Sequence, residues 1–248
     1  MRFLLTNDDG ILAPGIELLG EACQDVGRCT VVAPDREQSG TSHSLTLHRP
    51  LRPAQRPDGA FQVDGTPTDC VLLALEVLMD EKPDFVVSGV NHGPNMGEDV
   101  LYSGTVSAAM EAVTLGVPGV AISFAGHDPE LMKSYRQSLT ALIRQITTTD
   151  FPAQMILNVN LPNLPASEVK GVRVTSLGSR YFSNSLTRMN DPWGREIYWI
   201  GGGKITWTGG EDSDHAAVAE GYISVTPLHM DLTNHRLLET VSGWQLGV

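Results

Sequence analysis

Short apolar runs of strand length alternate with longer segments of helical periodicity as far as residue 160, and no other feature narrows the fold as much. Residues 3–5, 29–33, 85–87, 120–123 and 155–160 carry the strand pattern. Between the first two, Ile16, Leu18, Leu19, Ala22, Cys23 and Val26 recur at the spacing of one helix face. Residues 69–79 are apolar nearly all round, as in a buried helix, and another helix is expected from about 105 to 115. Asp128 followed by Pro129 supplies a cap and a first-turn proline for a helix reaching about residue 146. Strands joined through helices need crossover connections. The chain is therefore expected to be α/β, with a mostly parallel sheet covered on both faces.

The pattern changes after about residue 170. Short strand-like pieces at 172–176, 197–200, 204–207 and 222–226 are separated by Gly-, Asn- and Asp-rich turns, and the next helix is expected only at about 233–241. This reads as a hairpin arm and a helical tail added to the core. Trp193, Tyr198, Trp199 and Trp207 fall in the arm, where they either pack against another subunit or cover one end of their own sheet. The length of 248 residues suits one domain, 1–248, with a core of about 1–180 and an arm and tail of about 181–248.

Charge restricts the partners. Seventeen basic and 29 acidic residues give a net charge of −12, which repels a nucleic acid polymer or an anionic membrane. A small phosphate ester stays possible, because a bound cation reverses the local field. Cys23, Cys29 and Cys70 are odd in number and form no C-x-x-C pair, so reduced thiols are expected. No apolar run approaches the roughly 20 residues that span a bilayer. Asp8 and Asp9 interrupt the opening MRFLLTNDDG, which is unlike a signal peptide, and a cytoplasmic location is expected.

Ligands of an open parallel sheet bind beyond the carboxyl ends of its strands. Asn7-Asp8-Asp9 follows the first strand, residues 35–44 the second and residues 88–95 the third. Asp8 and Asp9 are adjacent acids that suit a hard divalent cation, or else Asp8 caps the next helix and Asp9 closes a turn. Ser39 lies in a loop of small hydroxyl residues that either approaches an anion or is plain connection. Asn91 and Asn95, flanked by Gly89, Gly93 and Gly97, either meet a metal and phosphate or form turns. Ser103-Gly104-Thr105 opens a helix, whose N-terminus both needs a cap and attracts phosphate. His43 and His92 sit in these loops as proton donors or as solvent-facing side chains. Residues 211–214 read as a solvated acidic turn rather than a second metal site. Walker A, G-x-G-x-x-G and G-x-S-x-G patterns are missing.

Five ordered segments, RFLLTNDDGILAPGI, VVAPDREQSGTSHSLTL, GTPTDCV, VVSGVNHGPNMGEDVLYSGTVSAAMEA and GYISVTPLH, together make the chain resemble the SurE family of stationary-phase survival proteins, nucleoside-monophosphate phosphatases. The resemblance covers nearly the whole chain and is least specific over 180–215. It implies a Rossmann-like three-layer core and one divalent ion, Mg²⁺ or Mn²⁺, per subunit at Asp8, Asp9, Ser39 and Asn91. It implies a phosphate pocket at Asn95, Ser103, Gly104 and Thr105. Dimers or tetramers built through the arm and tail are implied too, as is activity on 5′- and often 3′-nucleotides, with short polyphosphate a further substrate of some members. Asp8 and Asp9 are then the catalytic acids, one orienting a water for in-line attack or one acting as nucleophile. Other classes compatible with the chain are a non-catalytic nucleotide-binding regulator and a scaffold whose aromatic arm binds a partner.

Overall fold

A computed structural model describes residues 1–152, 154–183, 186–200, 204–244 and 246. In chain order, the first half contains β1 (Arg2–Thr6), α1 (Pro14–Gln24), β2 (Arg28–Pro34), β3 (Pro53–Gln55), β4 (Phe61–Val63), α2 (Pro67–Leu73), β5 (Phe85–His92), α3 (Gly104–Thr114) and β6 (Gly119–Phe124). The second contains α4 (Pro129–Lys133), α5 (Arg136–Thr148), β7 (Ile156–Leu161), β8 (Val172–Val174), β9 (Ser179–Ser183), β10 (Leu186–Asn190), β11 (Glu196–Ile200), β12 (Lys204–Thr208), α6 (Asp214–Ala219), β13 (Ile223–Leu228) and α7 (Leu238–Ser242).

The nine-stranded sheet has the order β3-β4-β2-β1-β5-β6-β7-β13-β8. β2, β1, β5, β6 and β7 run parallel, as right-handed crossovers through helices require. The chain leaves β1 toward β2 and returns on its other side as β5, so the order reverses beside β1. That reversal opens a crevice at the carboxyl ends of β1 and β5.

Alternation along each buried strand assigns its side chains to two cores. Phe3, Leu5, Val87 and Ile122 pack with Leu19 of α1 and Leu139 and Ile143 of α5. Leu4, Val32 and Val86 face Cys70 and Val71 of α2 and Ala108 and Ala112 of α3. Two helical layers thus sandwich the sheet, giving the expected three-layer α/β core.

Local departures have local causes. The helix expected at 69–79 begins earlier, because Thr66 and Asp69 form a reciprocal capping box with Pro67 in the first turn. It then widens into a π turn over Ala74–Leu78. The helix expected from 128 to 146 is two helices. Between them the buried Tyr135 donates its hydroxyl to Pro162 O at 2.7 Å, while Ser134 Oγ accepts from Ala166 N at 3.1 Å. These long-range ties set the break.

Beyond residue 181 the chain returns to the core. β13 pairs antiparallel with β7 and parallel with β8. The helix α6 interrupts a stretch where none was expected before about 233, and the tail helix is a short 3₁₀ turn followed by α7. β9 pairs with β12, and β10 with β11, as an arm outside the main sheet. Trp193, Tyr198 and Trp199 stand 79%, 55% and 64% exposed. Trp207 instead stacks on His215 with centroids 5.1 Å apart, so only that ring covers its own fold. The three cysteines are free thiols.

Candidate active site

Asp8 lies just past β1, buried, and does not cap the following helix. The N-cap of α1 is Ala13, with no side-chain bond. Thr105 Oγ1 donates instead to Asp8 Oδ1, across from the first turn of α3. Helix and strand end touch closely here. A Cβ on Gly104 would lie 2.9 Å from Asp8 Cβ and 3.0 Å from its Oδ2. The acid pair and the helix N-terminus, separate expectations from sequence, are one place.

Asp9 also spends its carboxylate on another strand rather than on its own turn. His92 N, at the end of β5, donates to Asp9 Oδ2 at 3.1 Å. Asn91 precedes it, beyond a register slip between Ser88 and Asn91; such irregularities bend a strand and re-aim its side chains. Asn91 Nδ2 donates to Gly93 O at 2.8 Å, which fixes the amide plane. Ser39 arrives from the β2 side. Gln38 N donates to Asp8 O at 2.7 Å, and Ser39 Oγ donates to Glu37 Oε1 at 2.7 Å, keeping its lone pairs as acceptors. Asp8, Asp9, Asn91 and the segment holding Ser39 are thus tied around the crevice.

Burial governs the electrostatics. Desolvation, reinforced by the Asp9 charge, pushes Asp8 up to about 6 although Thr105 opposes it. Asp9 is also raised, first by burial, against the His92 amide and the His92 and His127 side chains. Among the described residues neither acid forms an ion pair with Lys or Arg, and Asp9 has only His92 Nδ1 at 3.9 Å. Asn7 Oδ1 is buried beside them without a hydrogen-bond partner among the described residues. Such a cluster of hard oxygens, short of positive charge, fits a divalent cation. Among the described residues no three His, Cys, Asp or Glu side chains gather. A cation here therefore has to draw on amide and hydroxyl oxygens besides the two acids.

The residues expected to meet phosphate lie on the adjoining segment. Ser103 caps α3, accepting from Val106 N at 3.1 Å. Its hydroxyl proton and the Gly104 amide belong to a helix N-terminus, where such groups suit an anion. The Thr105 hydroxyl donates to Asp8. Asn95 is clamped: its N–H donates to Asn160 Oδ1 at 2.8 Å, and its C=O accepts from Asn158 and Asn160. Its Nδ2 donates to Ser123 Oγ at 2.8 Å, leaving the second amide hydrogen.

Some assignments move. His43 sits against Glu111 on α3, Nε2 to Oε2 2.7 Å, rather than beside the acid pair. Asp214, read as part of a solvated turn, is fully buried and accepts backbone N–H groups from Gly97 and Gly178. Asn158 and Asn160 were not singled out from sequence. Their signal is a polar residue at two successive same-face positions of an otherwise apolar strand.

Comparison with known proteins shows the family. A family model described as Survival protein SurE matches residues 3–184. The chain is 57% identical to the 5′-nucleotidase SurE of Gemmatimonas aurantiaca, over 98% of each chain. It is 49% identical to the 5′/3′-nucleotidase SurE of Cronobacter sakazakii, over 98% of this chain and 96% of that one. The crystal structure of the SurE protein from Aquifex aeolicus matches with a TM-score of 0.86 at 42% identity, covering 98% of both chains. With likeness of this extent in sequence and in fold, the chain belongs to the SurE family.

Proposed function

We propose that the chain is a divalent-metal-dependent phosphomonoesterase that hydrolyses nucleoside 5′-monophosphates, and 3′-monophosphates as well, to nucleoside and phosphate. The observation that carries this reading is the contact between Asp8 and the first turn of α3. It puts an uncompensated acid pair beside an anion-binding helix end. A regulator that only bound nucleotide would need the helix end but not the buried acids. The names of the relatives from Gemmatimonas and Cronobacter support the substrate class.

Asp8, Asp9, Ser39 and Asn91 would hold one Mg²⁺ or Mn²⁺ per subunit. When bound, such an ion supplies charge neutralisation at phosphate and a lowered pKa for water. The protein's own groups do the rest. Thr105 locks the Asp8 rotamer through its hydroxyl. The His92 amide holds Asp9, whose other oxygen can orient a water for in-line attack. Ser103, Gly104 and Asn95 present O–H and N–H donors to the equatorial phosphoryl oxygens, where charge grows in the transition state. Short-chain polyphosphate presents the same terminal phosphoryl group and is a second candidate substrate.

The exposed aromatics of the arm suit an interface between copies, and a homodimer or homotetramer is part of the proposal. Among the described residues no helix is long and apolar enough to cross a membrane. Phosphate release from adenosine 5′-monophosphate, measured with magnesium or manganese and again with EDTA, tests the function. Release that persists undiminished in EDTA refutes the metal requirement, and none under either condition refutes the hydrolase.

A further inference from the structure

We infer that Arg180 and Asp214, at the base of the arm, are positioning residues for the phosphate-binding turn, so that the arm's attachment sets how tightly the site holds phosphate. The inference rests on the reading of Asn95, Ser103 and Gly104 as phosphate contacts.

Between Asn95 and Ser103 the chain forms a 3₁₀ turn, Gly97–Leu101. Such a turn has poor internal bonding and needs outside support. Three carboxylates, Asp214 from outside and Glu98 and Asp99 of the turn itself, tie it to the arm base. Asp214, fully buried, accepts from Gly97 N at 2.8 Å through one oxygen, and from Gly178 N at 2.9 Å and His215 N at 2.8 Å through the other. Glu98 accepts from Ser179 Oγ at 2.6 Å and from Arg180 N. Asp99 pairs with the Arg180 guanidinium, both side chains largely buried.

The last link reaches the site directly. Asp99 O accepts from Ser103 N at 3.0 Å, so the residue that Arg180 grips also holds the cap of α3. The fit is close. Gly97 has φ +54°, and a Cβ there would lie 2.9 Å from Gly178 O. Both strands of the arm base take part. Arg180 on β9 is paired with Trp207 on β12, its guanidinium lies 5.5 Å from that ring, and the ring stacks on His215 next to Asp214. Hydrogen bonds to phosphate weaken as their donors leave the preferred distance and angle. Loosening the arm base is therefore expected to weaken phosphate binding before it disturbs the fold.

The test compares the full chain with Arg180→Ala and Arg180→Lys, and with Arg188→Ala as a control. Arg188 pairs with Glu196 on the exposed β10–β11 hairpin and carries the same charge change away from the turn. In Arg180→Ala the KM for adenosine 5′-monophosphate and the inhibition constant of inorganic phosphate should both rise about tenfold, and kcat should fall as well, because the same donors meet the transition state. Arg180→Lys, which keeps the charge but not the planar fork, should recover part of the loss, and Arg188→Ala should match the parent. Calorimetric titration of inorganic phosphate into each variant with magnesium reads the same weakening without turnover. A parent chain that binds phosphate yet releases none from the nucleotide sinks the hydrolase reading and leaves the positioning readable. Unchanged phosphate affinity in Arg180→Ala overturns the positioning, as does a loss of kcat and melting temperature with KM intact. If Arg180→Ala does not fold, Arg180→Lys and Glu98→Gln carry the comparison. Weaker phosphate binding in either at an unchanged melting temperature supports the inference, and parental affinity in both overturns it.

Discussion

Replacing Asp8 by Asn should make the metal-free protein more stable at neutral pH. The carboxyl is 4% exposed and is pushed by burial from 3.8 up to about 6. A raised carboxyl pKa means that the folded state binds the proton more tightly than the unfolded state. The sign is therefore fixed: stability falls as pH climbs from about 4 to about 6, and the cost then stays constant. At about 1.4 kcal/mol per pKa unit, a rise of roughly two units costs about 3 kcal/mol at pH 7. Asn has no charge to desolvate, and its carbonyl can still accept from Thr105. For a chain of this length about 1 kcal/mol moves the melting temperature by ~2–4 °C, so the gain should be of order 6–12 °C. The assay is thermal unfolding of parent and variant in EDTA at pH 7.5 and again near pH 4. The variant should lead at the higher pH and lose its lead at the lower. Adding magnesium should raise the parent more than the variant, since ligand bound only to the folded state stabilises it. An Asp8→Asn protein that melts at or below the parent at pH 7.5 in EDTA would refute the reasoning.

Thr105→Val removes the hydroxyl that lowers the Asp8 pKa. The acid limb of the pH–activity profile should move to higher pH, and phosphate-release assays should show about a tenfold lower kcat/KM, in line with the ~1.5–3 kcal/mol of a bond to a charged group. Gly104→Ala forces a methyl to 2.9 Å from Asp8 Cβ and 3.1 Å from Pro67 Cγ. Overpacking of this kind costs about 1–3 kcal/mol, and calorimetry should show a lower melting temperature together with a loss of nucleotide turnover. Asn160→Leu strips the Asn95 backbone of two partners. At about 1–3 kcal/mol per buried unpaired group, its urea midpoint should fall clearly, with KM for nucleotide rising in the surviving folded protein.

Much of this architecture was legible in the residue pattern, for definite reasons. β1, β5, β6 and β7 are largely buried, and β2 is buried over its last three residues, so they read as apolar runs. The convergence of Asp8, Asp9 and Asn91 follows from the rule that parallel strands deliver their carboxyl ends to one rim. What escaped depends on distant partners. β3 and β4 have three residues each and pair only because β2 offers an edge. The burial of Asp214 is invisible locally, because one amide that satisfies it lies 117 residues away. Thr105 announces a helix start. That its hydroxyl serves Asp8, 97 residues earlier, is a fact of packing.

The central claim is that one rim holds both a divalent cation and a phosphate. Anomalous diffraction from crystals soaked in manganese and orthovanadate tests it most directly. The account requires a manganese peak touching Asp8 and Asp9 and a vanadate bound at the Ser103–Gly104 turn, close enough to share an oxygen. Manganese found only elsewhere, or vanadate seated away from that helix end, would contradict it.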